Sequence, residues 1–117
     1  MIDDVEPILE ELLGMSAVLK KAIGKDDENE IVYQEFFLEN IRIEFQRNIT
    51  RDKDGNEVLV NALLFFDSTF SQPGDVIFDT DDIIEFSYYD GTYSFKIISI
   101  EPQIAFSNPV YWIIGLV

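Results

Sequence analysis

The chain has no cysteine and no histidine. The first absence excludes disulfides and thiolate metal sites, and the second removes the commonest metal ligand and the commonest general base. Cations are scarce as well: 8 lysines and arginines stand against 23 aspartates and glutamates, a formal charge of −15 at pH 7. That balance disfavours tight binding to nucleic-acid phosphate or to an anionic membrane. No apolar run is long enough to cross a bilayer, and the opening MIDDVEP is acidic where a secretory signal would be basic, so the expectation is a soluble protein of the cytoplasm at synthesis. There is no repeat, no low-complexity tract and no glycine-rich phosphate loop. Most enzyme templates lack their residues here, and the expectation is a non-enzyme without a cofactor.

What is present is apolar and strand-like. Of 117 residues, enough for one domain with a single core, 47% are hydrophobic and 14% aromatic, so the acidic residues have a plain solubilising role. Residues 83 to 98, IIEFSYYDGTYSFKII, read as a hairpin around Asp90-Gly91, a pair suited to a type I′ turn. Counting outward sets Tyr88 opposite Tyr93, Phe86 opposite Phe95 and Ile84 opposite Ile97 on one face, with Glu85 opposite Lys96 on the other. A second hairpin is centred on Asp54-Gly55. It places Ile49 opposite Val60, Phe45 opposite Leu64 and Ile43 opposite Phe66 on one face, and Arg42 opposite Asp67 on the other.

Residues 4 to 23 carry Asp4 as an N-cap, Pro7 near the first turn, the stripe Ile8, Leu9, Leu12, Leu13, Leu19 and Ile23, and Lys20, Lys21 and Gly24 at the end. The spacing predicts an α-helix, bent or broken near Gly14, lying over one end of a sheet or against a partner. KDDENE, 25 to 30, is a charged connector. From Ile31 the pattern turns to strand, and Glu39-Asn40 marks either a bend in one strand or a break between two. The tip segment DKDGNE is no EF-hand, since Leu63 stands where the twelfth-position carboxylate belongs.

Residues 68 to 82, STFSQPGDVIFDTDD, make an unusually long connection for a small β domain. Phe70, Val76, Ile77 and Phe78 can anchor it, and Asp75, Asp79, Asp81 and Asp82 make it acidic. Those acids invite a cation or acid–base proposal, but adjacent loop carboxylates are more simply a solvated surface. The last strand holds Tyr111 and Trp112, the single tryptophan, fitted to the core or to an interface. The fold expected is mainly β, a small antiparallel barrel or sandwich of five to six strands behind the N-terminal helix, in one domain.

Four segments in order, ENIRIEF at 39 to 45, LLFFDSTFSQP at 63 to 73, DDIIEF with DGTYSFKIISIEP to 102, and VYWIIGLV at the end, resemble the minor capsid proteins of tailed bacteriophages. Members of that family often carry histidines before the closing strand, where Asn108, Pro109, Val110 and Tyr111 stand here. The resemblance implies a structural virion protein, a head-completion or head–tail connector component made in the host cytoplasm. Its partners would be portal or adaptor and tail proteins. It would form a homo-oligomeric ring when assembled and can be a monomer alone, without tight nucleic-acid or membrane binding. The residues themselves, rather than the resemblance, single out Phe70, Asp75, Asp79, Asp81, Asp82, Tyr111 and Trp112 as candidate contacts; joined to the resemblance, the acids of the long loop would face the DNA path, the alternative being that they solvate an outer surface. The other reading is a small acidic β interaction module, a tail component or a nucleic-acid mimic.

Overall fold

The computed structural model describes residues 10–89 and 91–117. Strand β1 is Met15–Lys25, β2 Ile31–Arg51, β3 Glu57–Asp67, β4 Ile83–Tyr88, β5 Gly91–Ala105 and β6 Asn108–Leu116. All six lie in one antiparallel sheet of order β1-β2-β3-β6-β5-β4, and β4 pairs back to β1 through Val18, Leu19 and Lys20, closing the sheet on itself. Period-two burial builds the interior. Val60, Ala62, Leu64 and Phe66 point inward from β3, Ile84 and Phe86 from β4, Ile114 and Leu116 from β6, with Leu19, Leu38, Ile41 and Ile97 beside them.

Among the described residues the expected N-terminal helix is absent. Of the predicted span 4 to 23, the part up to residue 9, with Asp4, Pro7, Ile8 and Leu9, lies outside the described residues. Glu10–Leu12 form one 3-10 turn, and Met15–Lys25 are strand. The same residues also alternate: Ala17 and Leu19 are buried, while Ile23 is exposed, which a helical stripe would not allow. Two neighbouring strands offer β1 hydrogen bonds on both sides, and that outweighs a helix preference of a few tenths of a kcal/mol per residue.

Residues 31–51 form one bent strand. The bend is a bulge at Glu39-Asn40, where β1 shifts register and Asn40 takes φ 56. A second bulge at 46 and 47 reverses the faces beyond it. The tip pairing is therefore Ile49 with Leu59 and Asn48 with Val60, and below the bulge Phe45 meets Ala62, Ile43 meets Leu64 and Arg42 meets Phe65. Ile49 consequently points outward, 65% exposed, instead of into the core.

The connection is also one residue longer than a two-residue turn. The Asp52 N–H donates to the Asn56 carbonyl, Gly55 sits at φ 81, and Asp52 Oδ1 accepts from the amides of Asp54 and Asn56. The loop at the other end of β2 repeats this arrangement: Asp26 N–H donates to Glu30, Asn29 sits at φ 65, and Asp26 Oδ1 accepts from the amides of Glu28 and Glu30. Both are three-residue hairpin loops with a left-handed third residue.

In the β4–β5 hairpin Tyr88 pairs with Gly91, so Phe86 faces Tyr93 and Ile84 faces Phe95. The connection is residues 89 and 90, one position before Asp90-Gly91; Asp90 lies outside the described residues, and Tyr89 takes φ 47. Each residue faces a partner two positions from the expected one, which leaves the faces unchanged. Glu85 meets Ser94 rather than Lys96 and takes its charge partner from β1, Lys20 Nζ at 2.8 Å. The aromatic face closes one end of the sheet: Phe45 lies 4.9 Å from Tyr88 and 5.1 Å from Tyr93, both edge-on.

Gly115 is packed where a Cβ would collide with Ser99 Oγ and approach Val60 Cγ1 to 2.9 Å. Gly115→Ala is therefore expected to cost about 1–3 kcal/mol in urea unfolding through overpacking. Adding Ser99→Ala should recover part of the loss, because it removes the atom struck; no recovery would mean that the backbone, not Ser99, sets the constraint.

Candidate functional site

Antiparallel order puts the connections 26–30, 68–82 and 106–107 at one end of the closed sheet, and 52–56 and 89–90 at the other. The long connection 68–82 lies across its end and is held at three places.

The first is the bulge in β2. Glu39 and Gln72 exchange both backbone hydrogen bonds at 3.0 Å, and Asn40 Nδ2 donates to the Phe70 carbonyl at 3.1 Å. Ser71 Oγ accepts from the Asp67 amide and donates to the Asn40 carbonyl. Asp67, fully buried, accepts from the amides of Thr69 and Phe70 through Oδ1, at 2.8 and 3.0 Å. A carboxylate after an extended strand thus caps the first turn of the loop.

Asp67 Oδ2 is buried with no hydrogen-bond partner among the described residues. A buried charge half satisfied is costly, so the two oxygens make opposite predictions. Asp67→Ala removes the acceptor for two amides and is expected to cost about 2 kcal/mol. Asp67→Asn keeps that acceptor, removes the charge and should be neutral or stabilising. Thermal unfolding of the two variants side by side checks this; equal losses would show that Oδ2 carries a contact of its own.

The second hold is apolar. Val76 and Phe78 pack on the core, Phe78 lies edge-on to Phe66 at 5.2 Å, and Trp112 meets the same ring at 6.1 Å. These four side chains, with Ile77 and Ile100, line a recess of about 240 Å³.

The third is ionic. Lys21 Nζ, pointing from β1, donates to Asp79 Oδ2 at 2.8 Å and to Asp82 Oδ2, which also accepts from the Asp79 amide. Burial alone would lower the Lys21 pKa, but its bonds to Asp79 and Asp82 prevail and raise it above the ordinary value of 10.5. Asp81 N–H donates to the Ile97 carbonyl, and its carboxylate lies 3.8 Å from Lys96 Nζ.

The seven residues singled out from sequence therefore divide. Asp79 and Asp82 share one lysine, Asp81 faces another, and only Asp75 is exposed without a cation among the described residues. Phe70 is half-buried, with its backbone tied to Asp67 and Asn40. Trp112 lies under the loop, whereas Tyr111, the next residue of the strand, lines a different recess with Leu12, Arg42, Glu44 and Phe65. Sequence reasoning missed Lys21, Asn40, Asp67 and Ser71. Asn40 carried a signal, since asparagine tolerates the left-handed region, as did the Asp-Ser-Thr-Phe-Ser run; Lys21 carried none, because its partners lie about 60 residues away.

These contacts shape a surface, and no group of three or more carboxylates able to hold a metal occurs among the described residues. The fold and the site define a small all-β structural module. A family model described as minor capsid protein matches residues 10–114, and the chain belongs to that family of phage structural proteins. No curated protein and no solved structure matches it.

Proposed function

We propose that this minor capsid protein is a head-completion or head–tail connector component, docking at the portal vertex as a ring and offering its far end to the tail. The family match over residues 10–114 carries the reading. It is supported by a domain whose two ends differ, one crossed by the pinned loop 68–82 and the other closed by the aromatic face of Phe45, Tyr88 and Tyr93. A component that joins two different structures needs two different ends. The role proposed is structural, with no catalytic step and no cofactor, and the charge of −15 suits a component that DNA passes without being held.

In this reading Asp75 and Ile77, the exposed crest of the loop, are what passing DNA or a neighbouring protein meets, while Asp79, Asp81 and Asp82 keep the loop in shape. Negative-stain imaging of the purified chain mixed with portal oligomers, and gold labelling of a tagged chain in particles, test it. Density on one face of the portal and gold at a single vertex are expected; label over the whole shell would reject the connector role while leaving a capsid role.

A further inference from the structure

The recess under the loop 68–82 is left unfilled by the fold. Every side chain in its lining is apolar, Phe66, Val76, Phe78, Ile100 and Trp112 among them. Phe66 is buried, but the other four are only half-buried, and Ile77 at the mouth is 68% exposed. The volume, about 240 Å³, sets the size of what enters. A cavity of about 150 Å³ accepts one benzene ring, whereas pockets for drug-sized ligands begin at about 300 Å³. One aromatic side chain fits.

The charge around the recess has one sign. Asp75 sits between Gly74 and Val76, two residues of the lining, and is exposed without an ion-pair partner among the described residues. The connections at this end, 26–30, 68–82 and 106–107, hold eight acids and no lysine or arginine. Three lysines reach them from the strands, Lys21, Lys25 and Lys96, and two of these are already bound to Asp79, Asp82 and Asp81. The excess is acidic after these cations are counted.

We propose that the recess is the socket for one aromatic side chain carried on a basic segment of a partner protein. Size selects the anchor, and charge selects what flanks it. A second copy does not qualify. Among the described residues the most exposed aromatic side chains are Phe37, Tyr89 and Phe106; none has a lysine or arginine within two positions, and Phe37 stands between Glu35 and Glu39. Nucleic acid is repelled by the same acids that draw the basic segment. The inference rests on the connector reading only for the partner's place in a particle, and the binding itself belongs to the isolated chain.

Trp112 is the single tryptophan, so its fluorescence reports what enters the recess. The full chain is titrated with the capped peptide Lys-Lys-Phe-Lys-Lys, with its alanine-centred and glutamate-flanked counterparts, and with toluene, while the amide shifts of Val76 and Ile100 are followed by NMR. The phenylalanine peptide is expected to bind about tenfold more tightly than the alanine one, and to weaken as salt rises. Gly74→Leu fills the recess from within: a Cβ there meets nothing within 4 Å, so the side chain can lie across the opening. It should keep the Tm and abolish the gain from phenylalanine. Asp75→Lys should weaken the lysine peptide about threefold.

Equal affinity of the phenylalanine and alanine peptides would overturn the proposal, as would a gain that persists in folded Gly74→Leu or a response unchanged in Asp75→Lys. Glutamate-flanked peptide or toluene binding as tightly as the lysine peptide would make the recess an apolar pocket without selection and overturn it too. Shifts at Val76 and Ile100 that grow with protein concentration alone would assign the recess to a second copy, and no response at about 5 mM peptide would leave it without an occupant; either result rejects the basic partner. If Gly74→Leu fails to fold, the peptide series and Asp75→Lys still decide. Failure here leaves the connector reading standing, whereas gold over the whole shell would remove that reading and leave the binding.

Discussion

Leu64→Ala is expected to lower stability by about 3 kcal/mol, or roughly 12 °C in Tm for a domain of this size. Leu64 is fully buried in the middle of β3, between Ile43 of β2 and Ile114 of β6, so its removal leaves a cavity bounded by three hydrogen-bonded strands that cannot collapse freely. Ile49→Ala removes a similar side chain from the same hairpin yet should change stability by less than about 0.5 kcal/mol, because the bulge at 46 and 47 turns it to solvent. Urea unfolding of the two variants measures the face reversal directly. Comparable losses would restore Ile49 to the core and remove the bulge from the account.

Lys21→Met is expected to cost about 2 kcal/mol and to loosen the loop 68–82. Removing one partner of a buried pair can cost 3–5 kcal/mol, but the Asp79 side chain is 69% exposed and water screens that half of the contact. Asp82 is the larger share, buried and left beside a second carboxylate once the ammonium is gone. The raised pKa fixes the pH dependence. A lysine whose folded value lies above 10.5 contributes its full stabilisation below that pH and loses it as pH rises through the folded value. The Tm gap between wild type and Lys21→Met should be flat from pH 7 to 9 and close above about 10.5. A gap that persists in strong alkali would assign the loss to packing of the lysine stem. Amide exchange should quicken at 79 to 82 and not in β3.

Much of the fold was legible. Both Asp-Gly signals marked hairpins, and the β4–β5 faces survived the displaced pairing because a shift by two keeps each side chain on its face. In the observed pairing Phe86 stacks on Tyr93 at 5.7 Å and keeps a tilted contact with Phe95 at 5.9 Å. The β2–β3 tip was misread by one residue, and there the side chains did change face. Of the candidate site, the loop was found, and of its four expected apolar anchors Val76 and Phe78 pack on the core whereas Ile77 stands exposed. Its ionic hold was not found, since nothing local to Lys21 points to Asp79 or Asp82.

The sequence by itself determined composition-level and period-two properties: an acidic chain without cysteine or histidine, alternating apolar strands, the places where hairpins turn, and a segment order resembling the minor capsid family that the match over residues 10–114 then established. Only the tertiary structure decided that 15–25 is a strand, that two bulges in β2 seat the loop and turn Ile49 outward, and that three of the four loop acids are already occupied by lysines. The physical reason is range. Local preferences amount to tenths of a kcal/mol per residue, whereas strand pairing, ring packing and a shared ammonium are settled between residues far apart in the chain, where the whole closed sheet chooses among locally comparable alternatives.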